Sequence, residues 1–432
     1  MEFADNRINS RLGKIEKAFS ILPSSGNVVL SMAAAEPELF FENLHLSARR
    51  HQGLHIHCAN PTKPYPCFTD AGLTEHFHFN VMFLTAAVRN LQGHNLVHYV
   101  PQHLSRWSQN LTRRRNIDVF WGTCSLPTAN GFVSLGVNAC YEPELLRKAR
   151  IVILEINPHM PVVYGDTFVP VDQVDLFLQS QRPLPVLACE KTDPVDRQIA
   201  AYISDLVPDG ATIQLGIGGI PNAVGECLTH KKHLGVHTEL FTESMRTLYE
   251  HGVIDGSEKT LWPRKMISTF VYGSADLYKF VGENPAVELH PASIVNDPNR
   301  ICRNHRMISI NTAVEIDITG QVCSESVGHK ELSGVGGATD THIGAQRSQG
   351  GRGIIALRST TNDGKISKIA FELKAGAKVS ISRNDIDTVV SEYGVAELIG
   401  LSVAERAQAL IRIAHPDMRD ELLFNAQRAG YI

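Results

Sequence analysis

Short apolar runs alternate with longer amphipathic segments along most of the chain. Three of the runs, at Ile151–Ile156 (IVILEI), 307–310 (MISI) and 353–357 (GIIAL), have the length and composition of strands buried on both faces. The segments between such runs have the periodicity of helices. This regular alternation predicts an α/β fold with mainly parallel sheets.

Two stretches of the sequence, residues 26–39 and 210–223, align with glycine and proline at the same spacing. Each predicts a turn, a strand, a second turn of small residues, and a helix that begins at proline. Residues 130–139 and 319–328 form a weaker second pair at a similar offset. The repetition predicts two similar domains within one chain.

The length of 432 residues exceeds what one ordinary core requires and also favours two domains. The proline-rich segment 182–196 is the predicted boundary. We therefore expect an N-terminal α/β domain at residues 1–190 and a C-terminal one at 191–432.

Composition and charge narrow the range of partners. The chain has 41 Lys and Arg against 45 Asp and Glu, a net charge of −4, so no nucleic acid or membrane partner is predicted. The dense basic cluster 113–115 is interpreted as a solvated loop rather than a phosphate contact. Because no long apolar run or apolar leader is seen, we expect a cytoplasmic protein.

Cysteine and histidine positions do not indicate a metal or a disulfide framework. The eight cysteines contain no CxxC pair and are expected to be buried, reduced thiols. Six histidines lie close together in sequence, and two of them are predicted to share one strand face. No carboxylate or cysteine spacing completes a site, so no metal is predicted. These histidines are His45, His51, His55, His57, His76 and His78.

Residues 214–224 (QLGIGGIPNAV) carry the most informative chemical pattern. A short strand is predicted to lead into a glycine turn that exposes backbone N–H groups, with Pro221 in the first turn of the next helix. Such a helix N-terminus favours negative charge. The run VHTELF predicts the next strand and places Glu239 where ligands bind in α/β sheets. The pattern indicates a nucleophilic carboxylate beside an anion cradle, although glycine turns also occur in many phosphate binders and most glutamates are solvated.

Seven motifs in fixed order extend this hypothesis: LGIGGIPNAV, KKHLGVHTEL, VELHPASIVNDP, AVEIDITGQVCSESVG, LSGVGG, SRNDIDTVVSEYGVAELIG and IAHPDMRDEL. From about Gly26 to the C-terminus the chain resembles the acetyl-CoA hydrolase/transferase family. The resemblance implies two similar CoA-transferase-like (NagB/RpiA-like) domains, of which the C-terminal one is catalytic and binds CoA. It also implies a homodimer that needs no cofactor, with coenzyme A as a substrate.

The activity that the resemblance implies is transfer of CoA from an acyl-CoA to a short-chain carboxylate. Glu239 would form a covalent glutamyl-CoA thioester in a ping-pong reaction. A C4 acid such as 4-hydroxybutyrate is the leading substrate, with acetate or acetyl-CoA as partner. Two alternatives remain: an acyl-CoA hydrolase, in which water intercepts the thioester, and a sugar-phosphate-binding regulator on a related scaffold.

The resemblance also implies roles for individual residues. Asn296, Gly337 and Glu392 would support the site, whereas the residues alone would suggest a turn cap for Asn296 and a surface carboxylate for Glu392. Glu243 is the rival nucleophile, because this chain has Glu243-Ser244 where relatives commonly have Asp-Gly. The implied CoA-binding residues are Gly216, Ile217, Gly218, Gly219, Ile220, Ser333 and Gly337.

Overall fold

The computed structural model describes residues 3–92, 96–188 and 190–432. The chain divides into two compact units, one formed by Met1–Leu187 with Ile267–Val295 and the other by Ala188–Met266 with Asn296–Ile432. A boundary near residue 190 assigns residues 267–295 to the C-terminal domain, but the structure places them in the first unit. Backbone pairing explains the difference, since the strand Val287–Leu289 pairs in parallel with Tyr164–Gly165.

The helices are mostly short. They are α1 (Asn6–Asn9), α2 (Ile15–Ile21), α3 (Glu38–Asn43), α4 (Pro66–Thr69), α5 (Trp107–Arg114), α6 (Glu142–Leu146), α7 (Pro194–Leu206), α8 (Gly219–Cys227), α9 (Glu243–Glu250), α10 (Ala275–Val281), α11 (Ala292–Val295), α12 (Pro298–Ile301), α13 (Ala338–Gln346), α14 (Val403–Arg412) and α15 (Pro416–Arg428). Short 3-10 helices lie at Ala33–Ala35, Leu44–Arg50, Ala71–Leu73, Arg89–Leu91, Leu104–Arg106, Val171–Gln173 and Leu228–His230.

The strands are likewise short. They are β1 (Gly26–Leu30), β2 (Leu54–Cys58), β3 (Phe77–Val81), β4 (Val97–Tyr99), β5 (Val119–Cys124), β6 (Phe132–Ser134), β7 (Ile151–Ile156), β8 (Tyr164–Gly165), β9 (Phe168–Pro170), β10 (Leu176–Gln179), β11 (Thr212–Leu215), β12 (Gly235–Val236), β13 (Leu240–Phe241), β14 (Met266–Ser268), β15 (Phe270–Val271), β16 (Val287–Leu289), β17 (Met307–Thr312), β18 (Glu315–Asp317), β19 (Val322–Cys323), β20 (Ser326–Val327), β21 (Lys330–Glu331), β22 (Arg352–Ala356), β23 (Ile369–Ala370), β24 (Thr388–Ser391) and β25 (Gly394–Glu397).

The first unit is built on a seven-stranded sheet with the order β10-β7-β5-β1-β2-β3-β4. All of its neighbouring strands run parallel. Its main core includes the aromatic side chains Phe40, Phe41 and Trp121, which are almost fully buried. Their large apolar area is the main driving force for packing helices against this sheet.

The second unit contains a six-stranded sheet with the order β12-β11-β17-β22-β24-β25. Only the pair β24 and β25 is antiparallel. The carboxyl ends of the other five strands therefore lie along one edge, where α/β proteins bind ligands. The α/β class with mainly parallel sheets is confirmed in both units.

Three of the strands predicted from apolar runs are present in the structure. The strand Ile151–Ile156 has the predicted bounds, and the runs at 307–310 and 353–357 lie within or overlap β17 and β22. The continuous strand predicted from VHTELF is wrong, because β12 ends at Val236 and β13 begins at Leu240. The hydroxyl of Thr238 donates to the carbonyl of Leu240 at 3.1 Å, a local turn that interrupts the strand.

The loop predicted for the basic cluster 113–115 is also wrong. Arg113 and Arg114 form the last turn of α5, and Arg115 caps that helix by donating its backbone N–H to Leu111 at 2.9 Å. Basic side chains in a last turn complement the negative end of the helix dipole, which makes this placement favourable.

The described cysteines are free thiols, and Cys189 lies outside the described residues. Cys227 and Cys302 are partly exposed, and the others are buried. Within residues 3–92, 96–188 and 190–432, no helix is long and apolar enough to span a membrane.

Candidate active site

Glu239 lies in the short irregular segment between β12 and β13, at the carboxyl edge of the six-stranded sheet. It keeps part of its side chain accessible to solvent, whereas the neighbouring His237 and Thr238 are 1% exposed. The strand break matters here because a side chain on a regular strand would project from one of the two faces of the sheet. The turn instead places the carboxylate at the edge of the sheet.

Two groups from distant parts of the chain donate hydrogen bonds to the Glu239 carboxylate. The Asn296 side-chain amide donates from Nδ2 to Oε2 at 3.2 Å, and the backbone N–H of Gly337 is the second donor. Asn296 is completely buried, and its own Oδ1 has no hydrogen-bond partner among the described residues. The structure therefore brings three sequence-predicted residues, Glu239, Asn296 and Gly337, into one cluster.

Burial raises the pKa of Glu239 to about 7. The negative charge of Asp340 acts in the same direction, while the hydrogen bonds from Gly337 and Asn296 favour the ionised form and only partly offset burial. A carboxyl group with a pKa near neutrality is typical of catalytic positions. The cluster thus holds a poorly solvated carboxyl group beside two hydrogen-bond donors.

Position 337 requires glycine because its backbone lies very close to the Asn296 and Glu239 side chains. A Cβ on Gly337 would overlap both the Asn296 amide and the Glu239 carboxylate. The preceding Gly336 has φ of +53°, a left-handed conformation that favours glycine. Ser333, at the start of this turn, donates its backbone N–H to the carbonyl of Glu325 at 3.3 Å, and its hydroxyl donates to the carbonyl of Gly334 at 3.5 Å.

A buried polar network holds α13, whose first turn follows Gly337, against the sheet. The Ser309 hydroxyl donates to Gln214 Oε1 at 2.6 Å and lies 3.0 Å from the Thr341 hydroxyl. Asn311 Nδ2 adds bonds to the same three side chains at 3.0 to 3.3 Å. Thr341 also donates its backbone N–H to the carbonyl of Gly337 at 2.9 Å. The network therefore links β11 and β17 to the turn that donates to Glu239.

The glycine turn follows β11, the strand next to β12 in the sheet. Gly218 has φ of +117°, so this position requires glycine for its backbone conformation. Ile217 is 50% exposed, and Ile220 faces the interior at 8%. A Cβ on Gly216 would make only ordinary contacts, so glycine is not sterically required there.

An internal carboxylate lies against this turn. The backbone N–H of Gly219 donates to Glu190 Oε2 at 3.1 Å, and the Asn222 side chain donates to the Glu190 carbonyl at 3.0 Å. The predicted anion cradle thus holds an anion of the chain itself. Behind the turn, Asp196 packs against Gly219 and forms an ion pair with Arg358 at 2.8 Å.

The two remaining predicted carboxylates lie elsewhere on this unit. Glu392 follows β24 and accepts hydrogen bonds from the Ser359 backbone N–H at 2.9 Å and from its hydroxyl at 2.7 Å. Glu243 begins α9 and forms an ion pair with Arg246 on the same helix at 3.3 Å. Glu392 therefore holds the loop after β22 in place through Ser359. The charge of Glu243 is balanced by Arg246.

Sequence reasoning missed Asp340, Glu190 and the network around Asn311. Asp340 stands three positions after Gly337 and is 5% exposed, a burial that no local pattern indicates. Glu190 lies in the predicted boundary segment, which sequence patterns mark as a linker. Within the described residues, no group of three or more His, Cys, Asp or Glu side chains could hold a metal ion.

The chain is similar to known proteins over nearly its whole length. The N-terminal domain model of the acetyl-CoA hydrolase/transferase family matches residues 9–188, and its C-terminal domain model matches residues 273–426. The 4-hydroxybutyrate coenzyme A transferase of Clostridium kluyveri is 39% identical over 415 residues, 96% of either chain. Succinyl-CoA:cyclohexane-1-carboxylate CoA transferase of Geobacter metallireducens is 36% identical over 96% of this chain and 95% of its own. The crystal structure of RipA from Yersinia pestis superimposes with a TM-score of 0.94 at 33% identity, covering 99% of both chains.

Proposed function

The chain belongs to the acetyl-CoA hydrolase/transferase family, and on that premise we propose that it is an acyl-CoA:carboxylate CoA-transferase with Glu239 as nucleophile. The observation that carries the proposal is the cluster of Glu239, Asn296 and Gly337. It places a poorly solvated carboxylate beside two hydrogen-bond donors, one of them a rigid backbone N–H. Nucleophile and donors are the two components that acyl transfer requires.

The reaction proceeds in two covalent stages. The Glu239 carboxylate attacks the thioester carbonyl of the donor, which forms a mixed anhydride and releases CoA as a thiolate. The thiolate then attacks the glutamyl carbonyl, which gives a glutamyl-CoA thioester and frees the donor acid as a carboxylate. The acceptor carboxylate attacks this thioester, and the same two steps run in reverse.

Asn296 and Gly337 stabilise the oxyanion that develops on the Glu239 carbonyl when the CoA thiolate or the acceptor carboxylate attacks it. Their donors are positioned by a completely buried side chain and by a helix start, so little reorganisation accompanies the charge change. The glycine turn 216–220 and Ser333 are assigned to CoA, and Glu392 to support of the neighbouring loop through Ser359.

The proposed substrates are a short carboxylic acid, with 4-hydroxybutyrate as the first choice, and acetyl-CoA or acetate as the partner. The support is the similarity to the Clostridium kluyveri transferase over nearly the whole chain. Since the family includes hydrolases, water is the competing acceptor of the same thioester.

The decisive experiment measures CoA exchange between acetyl-CoA and a panel of short acids, with free CoA release followed in parallel. Transfer that greatly exceeds release supports the proposal, and release without exchange establishes a hydrolase instead. In a second arm, enzyme is incubated with acyl-CoA alone and reduced with borohydride. We expect a modified peptide containing VHTEL, and an adduct on Glu243 would contradict the assignment of the nucleophile.

A further inference from the structure

The first unit contains a cavity that the proposed reaction does not use. It has a volume of about 390 Å³, within the range of about 300 to 1,000 Å³ typical of small-molecule sites. Its lining residues all belong to the first unit, whereas Glu239, Asn296 and Gly337 belong to the second. The lining consists of Thr112, Arg115, Asn116, Ile117, Asp118, Lys148 and Arg150.

Regular backbone structure fixes the walls of this cavity. One wall leads from the end of α5 into β5, and the other precedes β7, the neighbour of β5 in the parallel sheet. The Arg150 N–H donates to the Ile117 carbonyl at 3.1 Å, and the Ile151 N–H donates to that of Asp118 at 3.1 Å. Ile117 is 3% exposed and forms an apolar floor. The cavity therefore has a fixed shape although its rim is open.

Positive charge is in excess at this rim. Asp118 is the one carboxylate in the lining, and it lies 3.5 Å from Arg150. Its other oxygen accepts the Asn27 backbone N–H at 2.9 Å. Among the described residues, Arg115 and Lys148 contact neutral oxygens: Asn27 Oδ1 at 3.4 Å and Thr112 Oγ1 at 3.2 Å, respectively. Two cations thus converge on the cavity without a carboxylate partner.

Helix capping accounts for only part of this charge. Arg113, Arg114 and Arg115 complement the carbonyl end of α5, as basic residues commonly do. Lys148 and Arg150 come from a different segment, between α6 and β7, and their side chains contact Thr112 and Asp118, respectively. Their convergence with Arg115 gives a local excess of two positive charges in a chain whose net charge is −4.

We propose that this cavity binds a phosphate-bearing metabolite. The guanidinium groups of Arg115 and Arg150 offer planar, forked donors that suit phosphate oxygens, and Lys148 adds a point charge. Thr112 and Asn116 supply neutral hydrogen-bonding groups for the remainder of the ligand. The phosphate could be the free ion or part of a nucleotide, and the proposal does not depend on the reaction assigned to Glu239.

A row of histidines next to Arg115 provides a local reporter. The Asn27 side-chain oxygen lies 3.1 Å from His57 Nε2 and also accepts a hydrogen bond from Arg115. The ring centroids of His55 and His57 lie 6.4 Å apart. Burial first, and then the charge of Arg115, lower the pKa of both histidines. His55 also faces His78 and His98, which lower its pKa further. An anion bound at Arg115 offsets its charge and raises the pKa of His55.

The test is calorimetric titration of the full chain with inorganic phosphate and, separately, with ADP. We expect saturable binding that weakens with added salt, and loss of about 10-fold or more in affinity for Arg115→Ala and for Lys148→Ala. Tighter binding of ADP than of phosphate, lost in Arg115→Ala, would identify a nucleotide, and equal or weaker binding of ADP would identify the free ion. Histidine NMR signals should shift with either ligand in the wild type.

Matched controls separate a built site from general attraction to a basic surface. Arg113→Ala removes the same charge from the same helix end without touching the cavity and should leave affinity nearly unchanged. Asp118→Asn removes the repulsive carboxylate and should tighten binding. Absence of saturable binding, equal losses in Arg113→Ala and Arg115→Ala, or binding without a His55 shift would each overturn the proposal.

Discussion

The Asn296 side-chain amide donates a hydrogen bond to Glu239 at 3.2 Å, although the two residues are 57 positions apart in sequence. The amide is completely buried, so it cannot exchange this bond for one with water. The pair fixes the orientation of the carboxylate while leaving its pKa high, since one amide bond and one backbone bond do not compensate for burial.

Replacing Glu239 by glutamine should abolish transfer while folding is preserved. The change is nearly isosteric and removes the nucleophilic charge, so we expect turnover to fall by at least about 10³-fold. CoA exchange and thermal unfolding are measured together. Glu243→Gln is the matched control and should be far less impaired, because Glu243 is ion-paired with Arg246. Turnover above a few percent in Glu239→Gln alone would transfer the role to Glu243.

The reaction should be faster on the alkaline side of neutrality. The nucleophile is the ionised carboxylate, and its pKa is raised to about 7, so kcat/KM should rise with pH and level off above that value. Stability should change in the opposite direction. Because the folded-state pKa lies above the ordinary value of 4.5, the neutral form is favoured in the fold, and stability is lost as pH rises between these values. Glu239→Gln should lack this component of the pH dependence, and an unchanged profile would contradict the assignment.

Replacing Gly337 by alanine should damage catalysis more than stability. The added Cβ would overlap the Asn296 amide and displace the donor from Glu239, so a loss of roughly 10²-fold to 10³-fold in kcat is expected. The comparison is Gly364→Ala, where nothing lies within 4 Å and only backbone strain at φ of +69° is introduced. Similar activities for the two variants would remove the Gly337 turn from the site.

Replacing Glu190 by alanine should lower the KM for acyl-CoA. Its carboxylate accepts the hydrogen bond of the Gly219 N–H, so a ligand anion must displace it. The apparent affinity for the ligand is therefore reduced to the fraction of molecules in which this N–H is free to bind it. We expect a change of a few-fold with little effect on kcat. Glu226→Ala is the control, because Glu226 is an exposed carboxylate on α8, the helix that Gly219 begins. A raised KM in Glu190→Ala alone would show that Glu190 assists binding instead.

Much of this protein is specified by local sequence pattern. The apolar run Ile151–Ile156 predicts its strand because a short segment buried on both faces must be apolar throughout. Gly218 and Pro221 predict the turn and the helix start, because backbone conformation at these positions depends on the residue itself. The motif order identified the family, and family resemblance gave Glu239, Asn296 and Gly337 as a set.

Tertiary structure decided the rest. No local rule joins residues 267–295 to the first unit or interrupts the strand before Glu239, because both depend on long-range pairing and on one side-chain hydrogen bond. The raised pKa of Glu239 depends on how completely Asn296, Gly337 and Asp340 enclose it. The sequence names the reactive groups, but their distances, burial and charge arise only when residues far apart in the chain pack together.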